Sequence, residues 1–251
     1  VIAAIGLWAY WLFKRDKFQK QEWIMGIAFG LSQTFVLNLE AWSVHITSAT
    51  NGGLIIALAI ITVPILESAW RRNWLPYNFF IATSIALIGL FMLIMGNGIV
   101  KPNIGDLLMF IAMILRTFHF VILGRLTQGK SFSPVNLTTI MVTTSGLIML
   151  TINPVEAIKT ATSYNSGNWI SMLFLSLLCT SFAFIGMNWA VKHTSASRAS
   201  LLLGTEPVWA TIIAVTVGGE LIHPIGFAGA AMIIGATYWG QAIESRHRLN
   251  A

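Results

Sequence analysis

The pattern W-x-V-x-x-T-S-A occurs twice in this chain, as WSVHITSA from Trp42 to Ala49 and as WAVKHTSA from Trp189 to Ala196. Position 42 maps onto 189, an offset of 147 residues. Five apolar segments separate the two copies. A segment that crosses a bilayer reverses the direction of the chain, so an odd number between them points the second copy the opposite way from the first. A chain that repeats one unit in opposite senses is restricted to a pair of inverted helical bundles in a membrane.

The composition agrees with a bilayer as solvent. Hydrophobic residues make up 56% of the chain and charged residues 10%, against about 25% charged in a soluble domain. Runs of roughly 20 apolar residues are needed to cross the hydrocarbon core as helix. Such runs lie at 23–44, 49–70, 78–97, 105–124, 134–152, 168–190, 198–219 and 224–243. A ninth run, residues 1–13, is too short to cross alone. It lacks the charged n-region and small-residue cleavage site of a signal peptide, and reads as the second part of a helix that begins before Val1. Cys179 is the single cysteine, so no disulfide framework is possible within the chain; it reads as a small packing residue.

The charges give the orientation, because Lys and Arg concentrate on the cytoplasmic side. With the end of residues 1–13 inside, Lys14, Arg15, Lys17, Lys20, Arg71, Arg72, Arg125, Lys130, Lys192, Arg198, Arg246 and Arg248 all lie inside, and Lys101 and Lys159 outside. The net charge of +6 is therefore a topology signal. No basic face interleaved with aromatics suggests nucleic acid as a partner. The duplicated pattern follows the same rule: its outer copy carries His45 and Asn51 where its inner copy carries Lys192 and Arg198.

The duplication extends beyond the pattern. Leu54-Ile55-Ile56 corresponds to Leu201-Leu202-Leu203, and Ala86-Leu87-Ile88-Gly89 to Met232-Ile233-Ile234-Gly235 at an offset of 146. We therefore divide the chain into a first repeat, 1–100, and a second, 101–251, each built on five helices. The first repeat is expected to lack its opening helix and the start of the next, and the full protein to have ten helices with both ends cytoplasmic. Gly96-Asn97-Gly98 with Pro102 separates the halves, and Asn153-Pro154 breaks an external loop.

The stretch from Thr194 to Glu220 (TSASRASLLLGTEPVWAT, then GGE) and the run GAAMIIG from Gly229 to Gly235 resemble the EamA-type members of the drug/metabolite transporter superfamily. The resemblance covers the whole chain and is stronger in the second half. It implies an all-α integral membrane protein of two inverted five-helix repeats that moves small metabolites such as amino acids. The chain departs from the family pattern at Ile60 and Ala59, which stand where the second half has Pro207 and Glu206, and at Arg116, where an aromatic residue is more usual.

Ionisable residues inside spans mark functional sites by default, since burying a charge in hydrocarbon costs at least about 2.5 kcal/mol. Glu40, Arg116, His119 and Glu206 qualify by depth. Arg116 lies nine residues before Arg125, roughly 13 Å from the cytoplasmic end. It reads either as a clamp for an anionic substrate group or as the partner of Glu40 or Glu206. His119, three residues on, shares its helical face and suits substrate binding or proton relay, or a structural bond to a neighbouring helix. Glu206 precedes Pro207, whose missing donor opens the helix, and with Glu40 it is a candidate proton-coupling site. Trp42 and Trp189, related by the repeat, suit the walls of a substrate site or an interfacial belt, and Asn188 offers a hydrogen bond. The glycines at 226, 229 and 235 read as helix-packing positions. No catalytic constellation, metal-ligand pattern or phosphate loop is present, so neither a cofactor nor enzymatic activity is expected.

Inverted repeats around a polar seam point to a secondary active transporter of small organic metabolites, acting as an exporter and coupled to protons, in the inner membrane with a cytoplasmic C-terminus. Its expected partners are a small-molecule substrate and the lipid bilayer, as monomer or homodimer. A non-transporting membrane scaffold or regulator is the alternative.

Overall fold

Among the described residues, each of the eight long apolar runs is largely helical. The computed structural model describes residues 1–94, 101, 103–152, 154–216 and 224–249, and the expectations placed on Gly96-Asn97-Gly98, Pro102, Asn153 and Gly219-Glu220 lie outside the described residues. Among the described residues there is no strand. In chain order the helices are α1 (Ile2–Lys14), α2 (Lys20–Ile46), α3 (Ala49–Ala57), α4 (Ala59–Arg71), α5 (Tyr77–Ile94), α6 (Ile104–Thr127), α7 (Pro134–Ile152) and α8 (Pro154–Ser163). Then follow α9 (Ser166–Phe174), a π-helical stretch (Leu175–Phe182), α10 (Ala183–His193), α11 (Ala196–Leu203), α12 (Glu206–Thr216) and α13 (Pro224–Leu249). Five stretches, 20–46, 51–71, 104–127, 134–152 and 166–193, are long and apolar enough to cross a bilayer, with α1 and 77–93 as shorter apolar helices. The result is an all-α, two-repeat helical membrane fold.

The duplicated pattern becomes the same local structure twice. Ser48 caps α3 by accepting from Asn51 N at 3.1 Å, and Ser195 caps α11 by accepting from Arg198 N at 2.9 Å. Both caps hold otherwise orphaned amides of a first helical turn. Each capped helix then breaks at the same point. Leu58 N donates to Ile55 O, and Ile61 N and Thr62 N donate to Leu58 O; 147 residues on, Thr205 N donates to Leu202 O, and Val208 N and Trp209 N donate to Thr205 O. The second break is legible in the sequence from Pro207. The first has Ile60 there instead, and its nearest proline, Pro64, lies inside α4. The break survives because this tight backbone turn satisfies its own carbonyl, with Thr62 Oγ1 also donating to Leu58 O at 3.2 Å.

The chain divides into two compact units that interleave the two sequence repeats: 1–35 with 123–193, and 36–122 with 194–251. In the second, α5 packs along α13. The two backbones meet where glycine leaves room: a Cβ on Gly229 would lie 2.4 Å from Gly89 O. Gly235 has nothing within 4 Å and does not serve the close approach expected of it. Ile60, Phe79, Ala86, Leu201 and Ala236 form the core beside this crossing. In the first unit, Glu22, 1% exposed, ties the start of α2 to the start of α7 by accepting from Ser133 N at 2.8 Å and Asn136 Nδ2 at 3.2 Å. Few of the side chains of residues 166–193 are fully buried, Ser181, Asn188 and Val191 among them, which suits a span with a lipid-facing side. Cys179 is exposed, on the π-helical stretch, so it does not pack in a core as its setting in the sequence suggested.

Candidate functional site

Arg116 sits near the middle of α6, twelve residues after Ile104 and eleven before Thr127. Its guanidinium is engaged by Glu40 on α2: Nε and Nη2 donate to Oε1 at 2.9 and 2.5 Å, and Nη2 donates to Oε2 at 2.6 Å. The side chains keep 31% and 16% of their surface, so the pair is mostly withdrawn from solvent and still reachable. In such surroundings a paired arginine and carboxylate hold each other's charge, and neither is tolerated alone. Of the alternatives left open for Arg116, the structure joins it to Glu40 and not to Glu206.

His119, 4% exposed, lies one turn beyond Arg116 on α6. Thr117, between them, shares a hydrogen bond of 2.9 Å with Thr62 of α4, the residue that also bonds the carbonyl at the first helix break. The charge pair, His119 and this break therefore belong to one unit and to adjoining turns of its helices. Glu206 is exposed on the first turn of α12, directly after the second break. Trp42, two residues past Glu40, is 67% exposed. In the other unit, Asn188 is 2% exposed and donates to Thr138 Oγ1 at 2.8 Å, while Trp189 is 53% exposed and stacks on His193 with ring centres 4.8 Å apart.

Three further carboxylates of the unit that holds Arg116 were not singled out from the sequence, and each engages a residue in, or directly after, one copy of the duplicated pattern. Asp106, on the first turn of α6, accepts from Thr47 Oγ1 and from Asn51 Nδ2 at 3.3 Å, beside the first copy. Glu67, 5% exposed at the end of α4, accepts from Ser197 N at 2.7 Å and Ser197 Oγ at 2.5 Å, and pairs with Arg71 at 3.1 Å. Glu244, 1% exposed on α13, accepts from Ser195 Oγ at 2.7 Å and approaches Arg198 at 3.4 Å. Glu67 and Glu244 line one side of a cavity of about 350 Å³ with Ser68, Arg71, Ser197 and His247. The signal for them in the sequence was weak: a carboxylate one turn from a span end looks like a solvated residue. No cluster of three or more metal-ligating side chains occurs among the described residues.

The helical spans and the charge pair set within them define a multi-pass membrane protein. Its sequence matches the EamA-like transporter family over residues 1–95 and 103–239, and the chain belongs to that family. It is 25% identical over 212 residues to an uncharacterized transporter of Archaeoglobus fulgidus, which covers 84% of this chain and 65% of that protein. It is also 25% identical over 220 residues to the uncharacterized transporter YyaM of Bacillus subtilis, covering 84% of this chain and 68% of the relative. The chain thus spans about two thirds of the length of these relatives. A solved crystal structure shares the fold with a TM-score of 0.76 at 15% identity, covering 96% of this chain and 85% of the other.

Proposed function

We propose that this protein is a secondary transporter that exports small organic solutes carrying both an anionic and a cationic group, with the Arg116–Glu40 pair at its substrate site. The observation that carries the reading is the pair itself, a bidentate arginine–carboxylate contact set at mid-helix beside a break in a neighbouring span. A zwitterion inserted into an ion pair keeps every charge compensated, its carboxylate on Arg116 and its ammonium on Glu40. A lone anion or cation leaves one member of the pair uncompensated in a low-dielectric setting, which is costly. A proton on Glu40 competes with the solute's ammonium, and mutual exclusion is the condition for exchange of proton and solute in opposite directions. Glu206, exposed beside the second break, is a second carboxylate at which the same competition can operate. His119 adds a polar group one turn from Arg116, and Trp42, in the same unit, remains a candidate for contact with the remainder of the solute, whereas Asn188 and Trp189, which belong to the other unit, are separate candidates for solute contact.

A non-transporting scaffold would also keep its buried charges paired, so the two readings separate only by flux. The test is counterflow and pH-jump transport in proteoliposomes with the twenty common L-amino acids, each radiolabelled. The proposal expects proton-dependent flux of at least one, abolished by Arg116→Ala and made insensitive to the pH gradient by Glu40→Gln. Absence of flux for all of them, with and without a gradient, favours the scaffold.

A further inference from the structure

We propose that Glu67 and Glu244 are positioning residues of the transport cycle, which together latch the first half of the second broken helix, α11, and have to release it for solute to pass the end of this unit that carries Arg71 and Arg198, its arginine-bearing end. The inference rests on the transport reading above.

α11 is eight residues long and is followed by the turn at Gly204 and Thr205. A short half-helix with a turn at one end is a lever, and what holds its other end decides its position. At that other end Ser197 gives both its amide and its hydroxyl to Glu67, while the capping residue Ser195 gives its hydroxyl to Glu244. The two carboxylates come from different helices, α4 and α13, so α11 is tied on two sides. Each contact places negative charge at a helix N-terminus, where it is favourable. Among the described residues, Arg71, Arg198 and His247 are the other ionisable groups at this place; Arg71 pairs with Glu67 and Arg198 with Glu244.

Two observations mark this as a latch and not a fixed support. First, space adjoins it. The cavity of about 350 Å³ borders Glu67, Ser197 and Glu244, so their contacts break toward open volume and not into packed side chains. Ser68, 2% exposed at the same wall, has no hydrogen-bond partner for its hydroxyl among the described residues, a cost of the latched arrangement that a different one would relieve. Second, the residues of this contact are not duplicated in the sequence. Shifted by 147, Ser197 and Glu67 fall on Thr50 and Ala214, and an alanine cannot accept. The first copy is held instead by Asp106 through Thr47 and Asn51. Among the described residues, the two broken helices of matching backbone are thus restrained by unlike side-chain contacts, which allows one to let go while the other holds.

The test uses the full chain in nanodiscs for hydrogen–deuterium exchange and in proteoliposomes for flux of the twenty radiolabelled L-amino acids. Glu67→Gln keeps the size and one acceptor but removes the charge. Ser197→Ala removes only the hydroxyl and serves if the first variant folds poorly. Each is expected to speed exchange over 195–203 by roughly tenfold while α6 and α7 keep their protection, and the double variant to add little to either alone. The apparent KM for solute presented at the arginine-bearing end is expected to fall severalfold, because the receptive state is already populated. A merely structural role lowers the yield of folded protein and leaves KM in place. Unchanged exchange in both variants, exchange raised equally along the whole chain, or an unmoved KM overturns the latch. Absence of flux in the wild type overturns the transport reading and this proposal with it, whereas normal flux with unmoved exchange overturns the latch alone.

Discussion

Replacing Arg116 by methionine should cost more stability than replacing Arg116 and Glu40 together. The single change leaves the Glu40 carboxylate, 16% exposed, without the three hydrogen bonds that compensate it. Breaking a fully buried pair from one side costs about 3–5 kcal/mol. The arginine side keeps 31% of its surface, so water screens part of this and about 2–3 kcal/mol remains. For a chain of this size that corresponds to a fall in Tm of about 5–10 °C. Arg116→Met with Glu40→Met removes both charges and restores apolar contact, and should unfold within about 1 kcal/mol of the wild type. Glu40→Met alone strands the guanidinium and should likewise cost about 2–3 kcal/mol, so the coupling energy is at least about 3 kcal/mol, read from thermal unfolding of all four proteins in one detergent. A coupling below about 0.5 kcal/mol would refute the contact. The same four proteins then separate structure from function: the double variant should be stable and carry no solute. If it transports at the wild-type rate, the pair is scaffolding and the substrate site lies elsewhere.

Gly229→Leu should cost at least about 1–3 kcal/mol and loosen α5 from α13, since even a Cβ there would lie 2.4 Å from Gly89 O; α13 peptides in hydrogen exchange report it. Ser48→Ala and Ser195→Ala each remove a helix cap worth about 1 kcal/mol. The second should cost more in thermal unfolding, because Glu244 loses its partner as well. Asn188→Leu should leave stability within about 1 kcal/mol of wild type, because Thr138 keeps its bond to Pro134 O and the Asn188 Oδ1, without a partner among the described residues, is removed. A loss of flux in that stable variant would mark Asn188 as a solute contact.

The spans were legible because about twenty apolar residues leave a membrane chain few choices. The repeat was legible because its two copies keep a serine cap and a turn at one spacing, Ser48 with Leu58 and Ser195 with Thr205. The break at Leu58 was not, since no proline stands at position 60 and the turn is held by backbone bonds that any residue can make. The π-helical stretch was hidden as well: the Thr180 and Ser181 hydroxyls donate back five residues to Leu175 O and Ser176 O, a choice that apolar periodicity does not reveal. Depth alone singled out Arg116 and Glu40, yet it could not choose between Glu40 and Glu206 as the partner, because that depends on how α2 and α12 lie around α6. Depth also passed over Glu22, Asp106, Glu67 and Glu244. Each sits within a turn or so of a helix end, where the sequence looks solvated, and each takes its partners from segments far away in the chain.

The claim on which most depends is that the two copies of the duplicated pattern face opposite sides of the bilayer. With Cys179 replaced by serine, His45→Cys and His193→Cys place one thiol on each copy, at positions that are exposed. In intact cells a membrane-impermeant maleimide should label the first at once and the second only after permeabilisation. Labelling of both from the same side would contradict the inverted repeat and the transport cycle built on it.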